Sequence, residues 1–154
     1  VDENQALARL QRYCAIQERC SSDAARKLRE LGIPREKADR VMGLLKKEGF
    51  IDDLRFSRSF VSGKFRINRW GRLRIIAALS AKHIPSPIIL QSLAVIEEDR
   101  YREAIRELTI KKNTLLKNEN GLIRRNKIIS FVTGKGFETD LVIPIVNKIV
   151  KYHG

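Results

Sequence analysis

A repeat constrains this chain more than any other feature of its sequence. Leu31-Gly32-Ile33-Pro34, Lys82-His83-Ile84-Pro85 and Lys135-Gly136-Phe137-Glu138 each end one apolar periodic stretch and begin another, at intervals of 51 and 53 residues. Counted from the apolar residue of each junction, Leu28, Leu79 and Val132 lie five positions back, and Ala25, Ile76 and Ile129 eight back. Ala38, Ile89 and Val142 lie five forward, Met42, Leu93 and Val146 nine, and Leu45, Ile96 and Ile149 twelve. Both sets follow helical spacing, and no segment sustains the period-two alternation of a strand. The expected fold is all-α: three tandem three-helix repeats at residues 1–51, 52–97 and 98–154, nine right-handed helices and no sheet.

Each junction reads as a tight helix-to-helix turn closed by a residue in the left-handed conformation. Gly32 and Gly136 suit it, whereas His83 costs about 1 kcal/mol there. Pro34 and Pro85 fall at helix starts, where a missing amide donor does no harm. The remaining helix of each repeat is expected over residues 5–20, 52–65 and 98–116. In the third, Tyr101, Ile105, Leu108, Lys112 and Leu115 form one stripe. Asp52-Asp53 and Glu98-Asp99 open their helices with negative charge, and Lys111, Lys112 and Lys117 fall late. Pro144 places the start of the last helix near Asp140, or makes that helix irregular.

With 154 residues, the chain can bury about two thirds of its unfolded surface. No apolar run approaches the ~20 residues of a membrane span. The start, Val1-Asp2-Glu3-Asn4-Gln5, has no secretory character. Cys14 and Cys20, read on one helix, lie roughly 240° apart around the axis and about 9 Å along it. They are therefore expected as two reduced thiols, packed as small hydrophobes, in a cytoplasmic protein. His83 and His153 have no cysteine at a ligand spacing, so no zinc site and no cofactor is expected. Thr133-Gly134-Lys135-Gly136 echoes a phosphate loop but follows a helix and lacks the terminal hydroxyl residue, so it reads as a helix stop. Asp52 and Asp53 read as capping residues facing water. No serine or cysteine has a histidine placed to activate it, and an enzyme is not expected.

Function is expected to lie in the charge. Thirty-one Lys and Arg against 18 Asp and Glu give +13, which favours a polyanionic partner, nucleic acid or an acidic protein surface. Residues 1–51 carry +3, and 52–97 and 98–154 carry +5 each. Between Asp53 and Glu97 there is no acid but eight cations, and five of them, Lys64, Arg66, Arg69, Arg72 and Arg74, crowd around Trp70 and Gly71. A surface charged only for solubility intersperses its signs, so this run is expected to be mostly exposed and to form one positive surface with some of Lys111, Lys112, Arg124 and Arg125. Leu73, Ile76 and Leu79 are expected to carry the packing beneath it. Trp70 reads either as a packing anchor or as a base-stacking residue. Phe56 and Phe60, four apart, are assigned to the core.

These residues carry a resemblance. Gly49-Phe50-Ile51-Asp52-Asp53-Leu54-Arg55-Phe56 with Phe60, Gly71-Arg72-Leu73-Arg74-Ile75 with Leu79 and Ile84, and Ile128-Ile129 with Gly136-Phe137 resemble the RecX family of RecA regulators. The resemblance implies an elongated, curved array of helical repeats lying in the groove of a RecA filament on DNA. There it would limit filament growth and lower ATP hydrolysis, strand exchange and coprotease activity, acting in DNA repair, recombination and the SOS response. RecA is the implied partner, single- or double-stranded DNA a second one, and a monomer the expected state. The alternative is a helix-turn-helix transcriptional regulator, since residues 22–49 resemble the first part of a winged helix. A wing would require a β-hairpin near residues 50–60.

Overall fold

The three junctions share one backbone turn. Gly32, His83 and Gly136 have φ of 72°, 62° and 101°. In the first two, the following amide reaches back to close the helix, Ile33 N–H to Leu28 O at 3.1 Å and Ile84 N–H to Leu79 O at 3.2 Å. The histidine thus adopts the conformation that glycine adopts freely. Its neighbour Lys82 is tied at two points: the Ser22 hydroxyl donates to its carbonyl at 2.7 Å, and its ammonium pairs with Asp23 at 3.2 Å. Those ties hold the strained turn in place.

The computed structural model describes residues 1–151, which leaves His153 outside the described residues. Among the described residues there are nine α-helices and no strand: α1 Glu3–Ile16, α2 Ser21–Glu30, α3 Arg35–Lys47, α4 Asp53–Arg66, α5 Arg72–Ala81, α6 Ser86–Ser92, α7 Glu98–Leu115, α8 Gly121–Gly134 and α9 Thr139–Ile149. A 3-10 turn, Leu93–Val95, extends α6. Helix α4 occupies the place where a DNA-reading wing would require its hairpin. The chain divides into two units, residues 1–60 with 79–92, and residues 61–78 with those from 93 onward, the boundary passing inside α4 and α5.

Each unit is built from apolar pairs four residues apart. In the first, Ala6 and Leu10 of α1, Ala24 and Leu28 of α2, and Val41 and Leu45 of α3 are fully buried. In the second, Tyr101 and Ile105 of α7, Ile128 and Val132 of α8, and Val142 and Val146 of α9 play the same part. A fully buried Leu or Val contributes about 1.5–3 kcal/mol, so these stripes fix each helix's rotation.

Several expectations are corrected. On α5 the inward pair is Ile75 and Leu79; Leu73 is 54% exposed and Ile76 only half-buried, because α5 starts at Arg72 and its buried axis lies one position from the one expected. Leu115, the last residue of the α7 stripe and of α7 itself, is 68% exposed. Phe60 is half-buried, unlike the buried Phe56. Asp53 is half-buried rather than open to water: its carboxylate accepts from the Ser21 amide at 2.8 Å and hydroxyl at 2.9 Å, capping α2 from 32 residues away. Asp52 caps α4, accepting from the Arg55 amide at 3.0 Å. Cys14 lies on α1 and Cys20 caps α2 after a break, so they do not share a helix; both are free thiols. Helix α9 starts at Thr139 and continues through Pro144, whose exposed position lets water serve the carbonyl that lacks its amide donor.

Candidate partner-binding surface

At Gly71 two backbones of the second unit come into close contact. A Cβ on it would lie 2.2 Å from the Gly136 carbonyl carbon, and one on Gly136 would lie 2.5 Å from the Arg74 Cβ, so two backbones meet with no side chain between them. The first amides of a helix have no carbonyl of their own. Here the third helical segment, α7 to α9 at residues 98–149, supplies acceptors. Gly71 N–H donates to Lys135 O at 2.8 Å, Leu73 N–H to Gly136 O at 3.0 Å, and Arg72 N–H to the Tyr101 hydroxyl at 2.9 Å.

The Arg72 side chain completes this joint. Its guanidinium lies over the Tyr101 ring, 3.8 Å from the centroid, and donates to Glu138 at 2.8 Å and to Glu98. The Tyr101 hydroxyl donates to the other Glu138 oxygen, and its buried ring packs on Phe65 and Phe137. Burial alone would raise the Glu138 carboxyl, but hydrogen bonds from Tyr101 and Arg72 outweigh it and hold the group below its usual range. Burial, reinforced by the Glu138 carboxylate, pushes the Tyr101 phenol up, so it stays a donor. Arg72, 21% exposed and neutralised twice, is therefore not part of an open patch. Reversing its charge would set three carboxylates against one another.

The rest of the acid-free run divides. Arg69, at φ 55°, pairs with Glu107 at 2.8 Å. Arg66 is exposed, and with Arg69 and Arg100 it lines a hollow of about 460 Å³ in which Glu97, Glu103 and Glu107 answer the cations. The exposed Arg74 and half-buried Lys64 both lie against the Trp70 ring, at 4.3 and 4.8 Å from its centroid. A base could stack on that face only by displacing a cation.

Lys111 and Lys112 do meet Arg69, around Phe131. These four, with Ile67 and Lys135, line a depression of about 310 Å³. Lys112 Nζ lies 4.4 Å and Lys135 Nζ 5.9 Å from the Phe131 ring centroid. A second, shallower depression of about 660 Å³ shares Phe131 and Lys112 and adds Ile123 and Lys127. The apolar members are unusually open, with Ile67 82%, Leu115 68%, Ile123 49% and Phe131 37% exposed. Lys127, Phe131 and Lys135 were missed in the sequence, although their i, i+4, i+8 spacing marks one stripe along α8 and its C-cap. Arg124 and Arg125 do not line these depressions. Arg124 donates to the carbonyls of Glu119 at 3.0 Å and Lys151 at 3.4 Å, and Arg125 to the side chain of Asn147 at 2.7 Å. No group of three or more possible metal ligands occurs among the described residues, and none of the described helices is long and apolar enough to cross a membrane.

Residues 52–93 match the family described as RecX, second three-helix domain. The chain is 31% identical over 127 residues to the regulatory protein RecX of Clostridium acetobutylicum, a match covering 80% of this chain and 58% of that protein. The counterpart from Clostridium tetani is 31% identical over 130 residues, covering 83% and 59%. The chain thus spans somewhat under three fifths of these relatives' length. The Prosthecochloris aestuarii protein of the same name is 25% identical over 149 residues, covering 97% and 96%. A crystal structure of RecX from Lactobacillus salivarius superposes with a TM-score of 0.89 at 22% identity, over 96% of both chains. Another crystal structure of regulatory protein RecX gives 0.86 at 24%, over 95% of this chain and 71% of that one. At those identities the likeness shows the fold.

Proposed function

The chain belongs to the RecX family, and from that premise we propose that it binds RecA filaments on DNA and restrains them, limiting filament growth and lowering ATP hydrolysis, strand exchange and coprotease activity. It acts as a monomer in the cytoplasm, in DNA repair, recombination and the SOS response, without chemistry of its own, and its three repeats, 1–51, 52–97 and 98–154, serve as modules. The observation that carries this reading is the face around Phe131, where Arg69, Lys111, Lys112 and Lys135 surround exposed apolar side chains. Lysines steer an acidic protein surface into contact, and burial of Phe131, Ile67 and Leu115 then supplies short-range affinity. A filament presents its surface repeatedly, so modest single contacts sum.

The test is a titration of the chain against RecA on single-stranded DNA, followed by ATP turnover. Wild type is expected to inhibit, and the variant Lys111→Glu, Lys112→Glu, Lys135→Glu to need about tenfold more protein for the same inhibition, with weaker salt sensitivity. A wild-type chain that leaves RecA turnover unchanged overturns the reading.

A further inference from the structure

The first unit holds a second basic surface, and its composition differs from that of the Phe131 face. Between α1 and α2 lies a trough of about 560 Å³. Arg9, Arg12 and Tyr13 line it from α1, Arg19 from the connection, and Arg26 and Lys27 from α2; its only acid is Glu30. Arg26 alone of the five cations has carboxylates near, Asp23 at 3.7 Å and Glu30 at 4.0 Å. Arg9 and Arg12 make no hydrogen bond or ion pair among the described residues, and both are exposed. Arg19 stacks on Tyr13, 3.8 Å from the ring centroid, and donates through Nε to the Tyr13 carbonyl at 3.1 Å. One of its five donors is thereby committed to holding it in place. Lys27 Nζ lies 5.7 Å from the same ring.

We propose that this trough binds the phosphodiester backbone of nucleic acid. Like charges gathered in a concave surface repel one another, and the field they focus attracts anions. Four of the five cations are arginines, whose forked donors fit phosphate oxygens two at a time. An acidic protein partner would also need apolar anchors, as at Phe131, but the trough offers only Ile16, 78% exposed. The Tyr13 ring is occupied by Arg19 and Lys27, so bases have no stacking platform and binding is independent of sequence. This site deepens the RecA reading by giving the DNA contact its own surface, yet it does not depend on that reading.

The experiment measures fluorescence anisotropy of a labelled thymidine 30-mer, and of a labelled duplex, with the whole chain and no RecA. Three or four phosphate contacts predict a log–log salt slope of about −2 to −3 on the single strand. Arg9→Glu with Arg12→Glu is expected to weaken binding at least tenfold while circular dichroism is unchanged, and the triple lysine variant of the Phe131 face to change it less than twofold. Arg9→Lys with Arg12→Lys, which keeps the charge but removes the forks, should lie between. Equal binding by the wild-type and Arg9→Glu, Arg12→Glu chains overturns the proposal. So does competition by polyglutamate as strong as that by unlabelled oligonucleotide, which would mark an acidic-protein site. Loss of RecA inhibition with oligonucleotide binding intact would bear only on the function proposed above.

Discussion

Arg72 sits between two carboxylates and over a buried tyrosine ring, whereas Arg12, in the trough of the first unit, meets no carboxylate among the described residues. What differs is the element packed opposite. The third helical segment brings Glu98, Glu107 and Glu138 to the run at 64–74, and the positive charge there holds two segments of one unit together. Among the described residues no carboxylate pairs with Arg9 or Arg12, so their charge is not neutralised as that of Arg72 is. Density of cations along the sequence thus does not by itself make an open positive surface; which carboxylates the fold brings to them decides that.

That comparison can be broken most decisively at the joint itself. Gly71→Ala is expected to destabilise the chain by about 3 kcal/mol or more, because the clash is with backbone rather than a movable side chain. A thermal melt within a few degrees of wild type would show that the joint is looser than described. Next in size is Arg72→Ala, which takes the guanidinium from Glu138, Glu98 and the Tyr101 ring but keeps the backbone amide's bond to the Tyr101 hydroxyl and that hydroxyl's bond to Glu138. Allowing for partial exposure, a loss of about 2 kcal/mol in denaturant unfolding is expected.

A smaller effect concerns acid. Glu138 titrates below its ordinary value of 4.5 in the folded chain, so its contribution is complete above that value and is lost as pH falls through the lower, folded one. Stability should therefore decline on acidification below about pH 4.5, and less steeply in Glu138→Gln, as melts between about pH 5 and pH 3 would report. The smallest effect is expected at Arg12→Ala, within about 0.5 kcal/mol of wild type, because the side chain has no hydrogen-bond or ion-pair partner among the described residues to lose. Should Arg12→Ala cost as much as Arg72→Ala, the distinction between the two regions would not stand.

The helical stripes were legible because local spacing alone determines them: Leu28, Leu79 and Val132, aligned by the junctions, are all fully buried. Leu73 was misplaced because the phase of α5 is set by Gly71 docking on Gly136, a contact between positions 65 residues apart. The same distance hid the neutralisation of Arg72, whose carboxylates lie 26 and 66 residues away. The trough was illegible for the opposite reason. Its cations belong to a segment carrying eight acids, and only the packing of α1 against α2 separates them from most of that negative charge.

The acceptors at the start of α5 also make a clock of this joint. First-turn amides commonly exchange their hydrogens with water quickly, since no carbonyl of their own helix holds them. Those of Gly71, Arg72 and Leu73 are held by Lys135, Tyr101 and Gly136, so their exchange must wait until the second and third helical segments part. Their deuterium uptake would therefore time that opening directly, residue by residue, and register whether a partner bound at the Phe131 face slows it.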